Sequence, residues 1–179
     1  MTILPDTITV RDDAGDLTIT YEDMLKYHGR DFYGGVALAF KMLKLAFEKL
    51  LGTEVPLRNR IRIVLGFNPP GVVDGFEYVT RAMTRHRLIL DPDPGQGPPS
   101  VFGRYHAEVH YDGRSMRLWL RQDVLPGEFT HLARKSFAGL ATDEELERWK
   151  AYKQVLGERI MALAPQDLLE FTEPAPCQA

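Results

Sequence analysis

VALAFKMLKLAFEKLL, residues 36–51, is the stretch that decides the fold. Val36, Leu38, Ala39, Phe40, Met42, Leu43, Leu45, Ala46, Phe47, Leu50 and Leu51 recur at helical spacing and wrap most of the circumference. Lys41, Lys44, Glu48 and Lys49 fall on one side as a narrow polar stripe, and Gly52 closes the helix. So broad an apolar face has to be covered, which predicts a central helix packed against a sheet. The preceding run, Tyr27-His28-Gly29-Arg30-Asp31-Phe32-Tyr33-Gly34-Gly35, sets polar side chains and flexible backbone beside the first turn. Helix first turns carry unpaired amides and a partial positive charge, so a ligand site is expected there.

Upstream, residues 7–10 and 17–20 are β-branched runs separated by Asp12-Asp13-Ala14-Gly15-Asp16, which predicts a hairpin. Thr20-Tyr21-Glu22-Asp23 starts a short helix with a capping box, and Gly29 ends it. Downstream, residues 60–67 (RIRIVLGF) read as a strand with Ile61, Ile63 and Leu65 on one face. Pro69-Pro70-Gly71 breaks the chain before a helix over 72–83, and 87–90 is a short strand. The Pro- and Gly-rich stretch 91–100 is a loop. Residues 101–111 and 114–121 form a second hairpin about Asp112-Gly113, the strongest turn signal in the chain. Two helices follow, over 128–137 and from Thr142 to about residue 163, then a last turn over 165–171. Strands and helices in this order, with local hairpins, give an α+β domain over 1–171 with a mixed or antiparallel sheet and a helical C-terminal part. Residues 172–179 read as a disordered tail.

At 179 residues, 44% hydrophobic and 26% charged, the chain has the composition of one ordinary globular domain. A net charge of −3 gives no reason to expect nucleic acid as a partner. Local basic clusters, Arg58/Arg60/Arg62 and Arg81/Arg85/Arg87, suit either an anion or a solvated strand face. No apolar run reaches the ~18–20 residues of a membrane span, and MTILPDTITV does not read as a signal peptide. A cytoplasmic location is therefore the default. Cys177 is the only cysteine, which excludes intrachain disulfides and sites needing several thiolates.

Among the five histidines, His106 and His110 are four apart on a predicted strand. At ~3.3 Å per residue they stand ~13 Å apart, too far to share one metal. His131 lacks a nearby acidic or thiol partner in sequence, and His86 sits between Arg85 and Arg87. His28 has complementary neighbours: Asp31 can orient the imidazole, Tyr33 can exchange a hydrogen bond, and Arg30 can hold a carboxylate or phosphate. We therefore expect His28 and Tyr33 as catalytic candidates and Arg30 and Asp31 as ligand contacts. Asn68, Asp74, Arg85 and His86 are expected on a second wall, from the 68–74 junction and the 82–86 turn. The chain contains no nucleophile elbow, phosphate loop, dinucleotide fingerprint or zinc-protease motif.

YHGRDFYGGVALAFKML (27–43) resembles the HGH-x-C-x-G segment and following helix of the FmdE-like family, named for the E component of formylmethanofuran dehydrogenase. VDGFEYVTRAMTRHRLIL (73–90) is similar to that family's Asp-led helix and turn. FGRYHAEVHYDGRSMRLWL (102–120) resembles its central hairpin, and FTHLARKSFAGLATDEELERW (129–149) its helical C-terminal part. The resemblance implies an α+β fold of the kind shared with the catalytic domain of glyceraldehyde-3-phosphate dehydrogenase, and a homodimer. It also implies a metal site about the first His and two cysteines. Here His28 keeps the first His and Arg30 replaces the second. Phe32 or Tyr33 falls at the first Cys, and Ala82 at the second. The resemblance thus implies an inherited pocket with changed contents, and zinc is not expected in it. Three functions follow: a small-molecule or cofactor-binding protein, with or without enzymatic activity, using the His28 pocket; a haem-dependent enzyme with His28 as axial ligand, or another metal ion there; or a non-catalytic subunit or interaction module.

Overall fold

The computed structural model describes residues 6–29, 31–92 and 96–177. β1 (Thr7–Asp12) and β2 (Gly15–Thr20) form the first hairpin, a two-stranded sheet of its own. α1 (Tyr21–His28) starts with the expected capping box, Thr20 accepting from the Asp23 amide while Asp23 accepts from the Thr20 amide, and stops at Gly29. α2 (Tyr33–Leu51) is the long helix. β3 (Arg62–Phe67), α3 (Pro70–Thr80) and β4 (Leu88–Leu90) make a parallel β-α-β unit. β5 (Pro99–Ser100), β6 (Gly103–Tyr111) and β7 (Arg114–Leu120) follow. Then come α4 (Gly127–Phe137), α5 (Asp143–Ala162), α6 (Pro165–Leu168), β8 (Leu169–Phe171) and β9 (Ala175–Pro176). The main sheet runs β4-β3-β6-β7-β8, with β5 on β6 and β9 on β7; all its pairings except β3–β4 are antiparallel. The fold is α+β with a mixed sheet, as expected.

α2 lies over β6 and β7 and is flanked by α3 and α5. Val36, Ala37, Ala39, Phe40, Met42, Leu43, Leu45 and Ala46 are completely buried. The polar stripe is less solvated than its sequence suggests: Lys41 is 4% exposed, its Nζ 3.8 Å from Asp6 Oδ2, and Lys44 pairs with the same carboxylate. One acidic side chain at the start of the described chain thus faces both lysines and offsets part of their charge. Among the described residues no helix is long and apolar enough to cross a membrane.

Four expectations are corrected. The strand expected at 60–67 begins at Arg62, because Arg58–Arg60 form a 3-10 turn. The Arg58 guanidinium donates to the Val79 and Tyr78 carbonyls at 3.1 and 2.7 Å, tying that turn to the end of α3. The helix expected at 72–83 runs from Pro70, whose fixed φ suits a first helical position, and ends before Arg81, which is left-handed at φ 55°. The turn expected over 165–171 splits into α6 and β8, and β8 pairs with β7 at Leu118–Phe171. The tail also differs from its sequence reading. Ala175 and Pro176 pair with Ser115 and Arg114, and the Cys177 amide donates to the Gly113 carbonyl at 2.8 Å. Prolines are tolerated there because a sheet edge needs no amide on its outer side.

His106, on β6, is 2% exposed and lies parallel to Trp119 at 6.4 Å between ring centroids. Burial pushes its pKa down from the ordinary 6.5 to about 4. Above pH 6.5 both the folded and the unfolded chain hold this ring neutral. Between 6.5 and about 4 the unfolded chain takes up a proton that the folded chain refuses, so stability falls as the pH falls. The urea midpoint should therefore drop across this window, and less steeply in His106→Phe. Equal slopes in the two proteins would remove His106 as the cause.

Candidate functional site

His28 is the last residue of α1, and Gly29 turns the chain away from it at φ 100°. Its Nδ1 lies 2.7 Å from Asp74 Oδ2 on α3, with the imidazole side chain 6% exposed and the carboxylate 38% exposed. Nε2 is buried and, among the described residues, has no hydrogen-bond partner. It faces the backbone at Gly71. A methyl group there would stand 2.8 Å from the Phe32 carbonyl oxygen, 3.2 Å from the Val36 nitrogen and 3.3 Å from His28 Nε2. Gly35 meets the Gly71-Val72 backbone just as closely, its added methyl falling 3.0 Å from the Val72 nitrogen. The glycines read in the sequence therefore let the end of α1 and the starts of α2 and α3 converge.

Beyond this partition opens an apolar cavity of about 70 Å³. Gly34, Gly35 and Leu38 of α2 form one wall, and Pro69 and Val72 a second. The remaining walls are largely aromatic: Phe102 from the turn between β5 and β6, Tyr105 from β6, Phe129 and Phe137 from α4, and Trp149 from α5. Lys153, one turn beyond Trp149, also lines it, with its Nζ 4.3 Å from the centre of the Phe32 ring and 4.4 Å from that of Trp149. Its side chain is 10% exposed and pairs with Asp31 at 2.6 Å.

Two further features set the electrostatics. The first turn of α2 carries no acidic side chain, and its N-cap is Phe32, which makes no side-chain cap. Its leading amides therefore carry partial positive charge, while the Lys153 ammonium is already shared with Asp31. Phe32 is left-handed at φ 52°, a conformation that costs a non-glycine residue about 1–3 kcal/mol. Its amide donates to Asp31 Oδ1 at 2.9 Å, and its ring meets Trp149 edge-on at 5.9 Å. Trp149 is 7% exposed, and its indole Nε1 is buried without an acceptor among the described residues. A buried N–H left in this way costs about 1–3 kcal/mol until an acceptor reaches it.

The sequence-derived residues divide among several places. His28 and Asp74 come together behind the Gly35-Gly71 partition. Asp31 and Tyr33 line a cleft outside the cavity with Lys150, Lys153 and Gln154. Tyr33 packs its Cβ against Gly157, and its carbonyl accepts from the Tyr21 hydroxyl at 3.2 Å. Arg30 lies outside the described residues. Asn68 faces a shallow cleft with Leu65, Phe67 and Leu90, and Arg85 joins an arginine-lined cleft. The 82–86 turn does not form the expected second wall, since α3 carries it ~16 Å along the helix from Pro70. His86 lies on that turn at φ 53°, and Ala82 is fully buried beneath it. The aromatic wall escaped the sequence reading. Its one visible signal is the stripe Trp149, Lys153, Leu156 and Ile160 on α5, all buried, which marks an inward face containing a lysine.

The donor set does not fit the metal site that the family resemblance implies. Phe32, Tyr33 and Ala82 supply no thiolate, and the described residues contain no cluster of three or more His, Cys, Asp or Glu able to hold a metal ion. Nor does His28 fit as a haem ligand, because Nε2, the nitrogen left free by Asp74, faces the close-packed backbone at Gly71. No family model matches the chain, and no curated protein matches it. Among solved structures it is similar to a tungsten formylmethanofuran dehydrogenase FmdE-like protein from Syntrophus aciditrophicus. The two are 15% identical with a TM-score of 0.45, over 89% of this chain and 74% of the other.

Proposed function

We propose that this protein binds a small carboxylic acid with an apolar body of about one ring, in the cavity at the start of α2. The observation that carries the reading is Trp149, a residue of the cavity wall whose buried indole N–H lacks an acceptor among the described residues. A carboxylate oxygen satisfies that donor, while the first amides of α2 and the Lys153 ammonium, which it shares with Asp31, offset the charge. The aromatic walls take the body of the ligand. A neutral apolar ligand would leave the indole unsatisfied. A large polyanion would not fit about 70 Å³. His28 then acts as a positioning residue: through Asp74 it fixes the start of α3, and with it Pro69 and Val72 of the cavity wall.

Benzoate is the probe, and benzyl alcohol its neutral counterpart. In proton–nitrogen NMR, benzoate should move the Trp149 indole signal saturably. The Trp119 indole already donates to Glu170 Oε2 at 2.7 Å and should stay in place. Lys153→Met keeps the apolar stem and removes the charge, so benzoate should bind about tenfold more weakly, as loss of one charge-assisted hydrogen bond gives. No movement of the Trp149 signal, or equal movement with benzyl alcohol, overturns the proposal.

A further inference from the structure

A second site stands at the other end of α3. Arg58, Arg81, Arg85 and Arg87 converge on a cleft of about 490 Å³, rimmed by Asp12 and Asp13 of the β1–β2 turn. We propose that this cleft binds a small phosphoryl-bearing anion, such as a phosphate ester or diphosphate.

Two of the four arginines are held in place by the fold. Arg58 donates to the Tyr78 and Val79 carbonyls. Arg87 donates to the Thr80 carbonyl at 3.0 Å and also to that of Ile61. Both therefore occupy the carbonyl end of α3, where cations are favoured. Glu77, 4% exposed, shapes the turn that bears the other two. Its Oε2 accepts from the Met83 and Thr84 amides at 2.8 and 3.2 Å, and the Thr84 hydroxyl donates to Oε1. This over-determines a turn in which Arg81 and His86 are both left-handed, at φ 55° and 53°. Arg58 and Arg87 are thus fixed before any anion arrives, and the turn sets the exposed Arg81 and Arg85 beside them, so only part of the cleft has to be ordered when an anion docks.

The charge on this platform is not balanced. Arg58 has Asp12 only at 3.9 Å, and Arg81 has Glu77 at 3.7 Å. The Asp12 carboxylate is partly engaged, accepting from the Ala14 amide at 2.9 Å. Arg85 is exposed, and its side chain has no ion-pair partner among the described residues. Burial holds Arg58 and Arg87 below the usual arginine range; Asp12 and Glu77 respectively pull them back up, and Arg81 and Arg85 press them down by less. Four guanidinia set against the carboxylates of Asp12, Asp13 and Glu77 leave the cleft one positive charge in excess, and planar guanidinium forks match phosphoryl oxygens two at a time. The site is separate from the aromatic cavity, so either can fail without the other.

The test is calorimetric titration of the full chain with pyrophosphate at low salt. One saturable site is expected, weakening as salt rises. Arg85→Gln should bind about tenfold more weakly, as expected for one charge-assisted contact, and should unfold at the unchanged temperature because the side chain is exposed. Arg81→Asn, which tolerates the left-handed backbone, should weaken binding likewise. Arg121→Gln, outside the cleft, is the control and should bind as the natural chain does. Absence of saturation, equal weakening in Arg121→Gln, or a short DNA duplex outcompeting pyrophosphate at matched charge would each overturn the proposal.

Discussion

Phe40→Ala is expected to destabilise the protein by about 3–5 kcal/mol, within the range for emptying a large aromatic site in a close-packed core. Phe40 is fully buried at the middle of α2, with Tyr21 edge-on at 6.3 Å between ring centroids. That neighbour is itself fixed, since its hydroxyl donates to the Tyr33 carbonyl at 3.2 Å, so the wall of the new cavity has little freedom to collapse. Against a total stability of about 5–15 kcal/mol, the loss is a large fraction. At this chain length it should lower the midpoint of thermal unfolding by about 6–20 °C. Leu43→Ala, equally buried, should cost about 2–5 kcal/mol. Leu140→Ala is the comparison: its side chain is 71% exposed, and substitution there should change stability by no more than about 0.5 kcal/mol. Matching unfolding curves for Phe40→Ala and Leu140→Ala would mean that α2 is not the centre of the core.

Those elements whose physics is local were legible in the sequence. Asp112-Gly113 demanded a hairpin, and both residues take positive φ, 46° and 77°, as a tight two-residue turn requires. Thr20 and Thr142 each sit three residues before an acid and form capping boxes. α2 was readable because its apolar positions nearly close the circle. The missed features depend on partners distant in sequence. Nothing in Arg58-Asn59-Arg60 announces a 3-10 turn until the carbonyls of Tyr78 and Val79 arrive to hold Arg58. A Pro-rich tail gives no pairing signal of its own; it becomes strand because β7 offers an unpaired edge.

The candidate site divides along the same line. That something lies at the start of α2 could be read from Gly34, Gly35 and the polar run before them. What lies there could not, because Trp149 and Lys153 come from a helix more than a hundred residues later. Their approach depends on Gly157 and Gly34, where an added methyl would fall 2.7 Å from Tyr33 Cβ and 3.0 Å from a Leu156 methyl. Proximity in sequence also misplaced Asp31 as an orienting partner for His28. Asp74 takes that role, and Asp31 pairs with Lys153.

The second large effect is expected at Gly103, where β6 begins. β3 and β6 pair residue for residue from Arg62–His110 to Leu65–Ala107, after which the register shifts and Phe67 pairs with Gly103. The irregularity brings the two backbones so close that a methyl on Gly103 would overlap the Gly66 carbonyl oxygen. It would also stand 3.2 Å from Phe67 Cα. Gly103 has φ +117°, a conformation that L side chains rarely adopt. Gly103→Ala therefore combines backbone strain of about 1–3 kcal/mol with an overpacking penalty of about 1–3 kcal/mol. Neither is relieved by a side-chain rotation, because the obstructing atoms are backbone. Gly15→Ala separates the two contributions: Gly15 has φ +126° but nothing within 4 Å of an added methyl, so it incurs the strain alone. In denaturant titrations Gly103→Ala should lose more stability than Gly15→Ala by the overpacking amount. It should also weaken benzoate binding, because Phe102 and Tyr105 on either side of Gly103 line the aromatic cavity. Gly15→Ala, on the separate hairpin, should leave that binding intact. Equal losses in the two variants would mean that the strands part at the bulge without resistance, and the cavity wall would then not be rigidly held at this point.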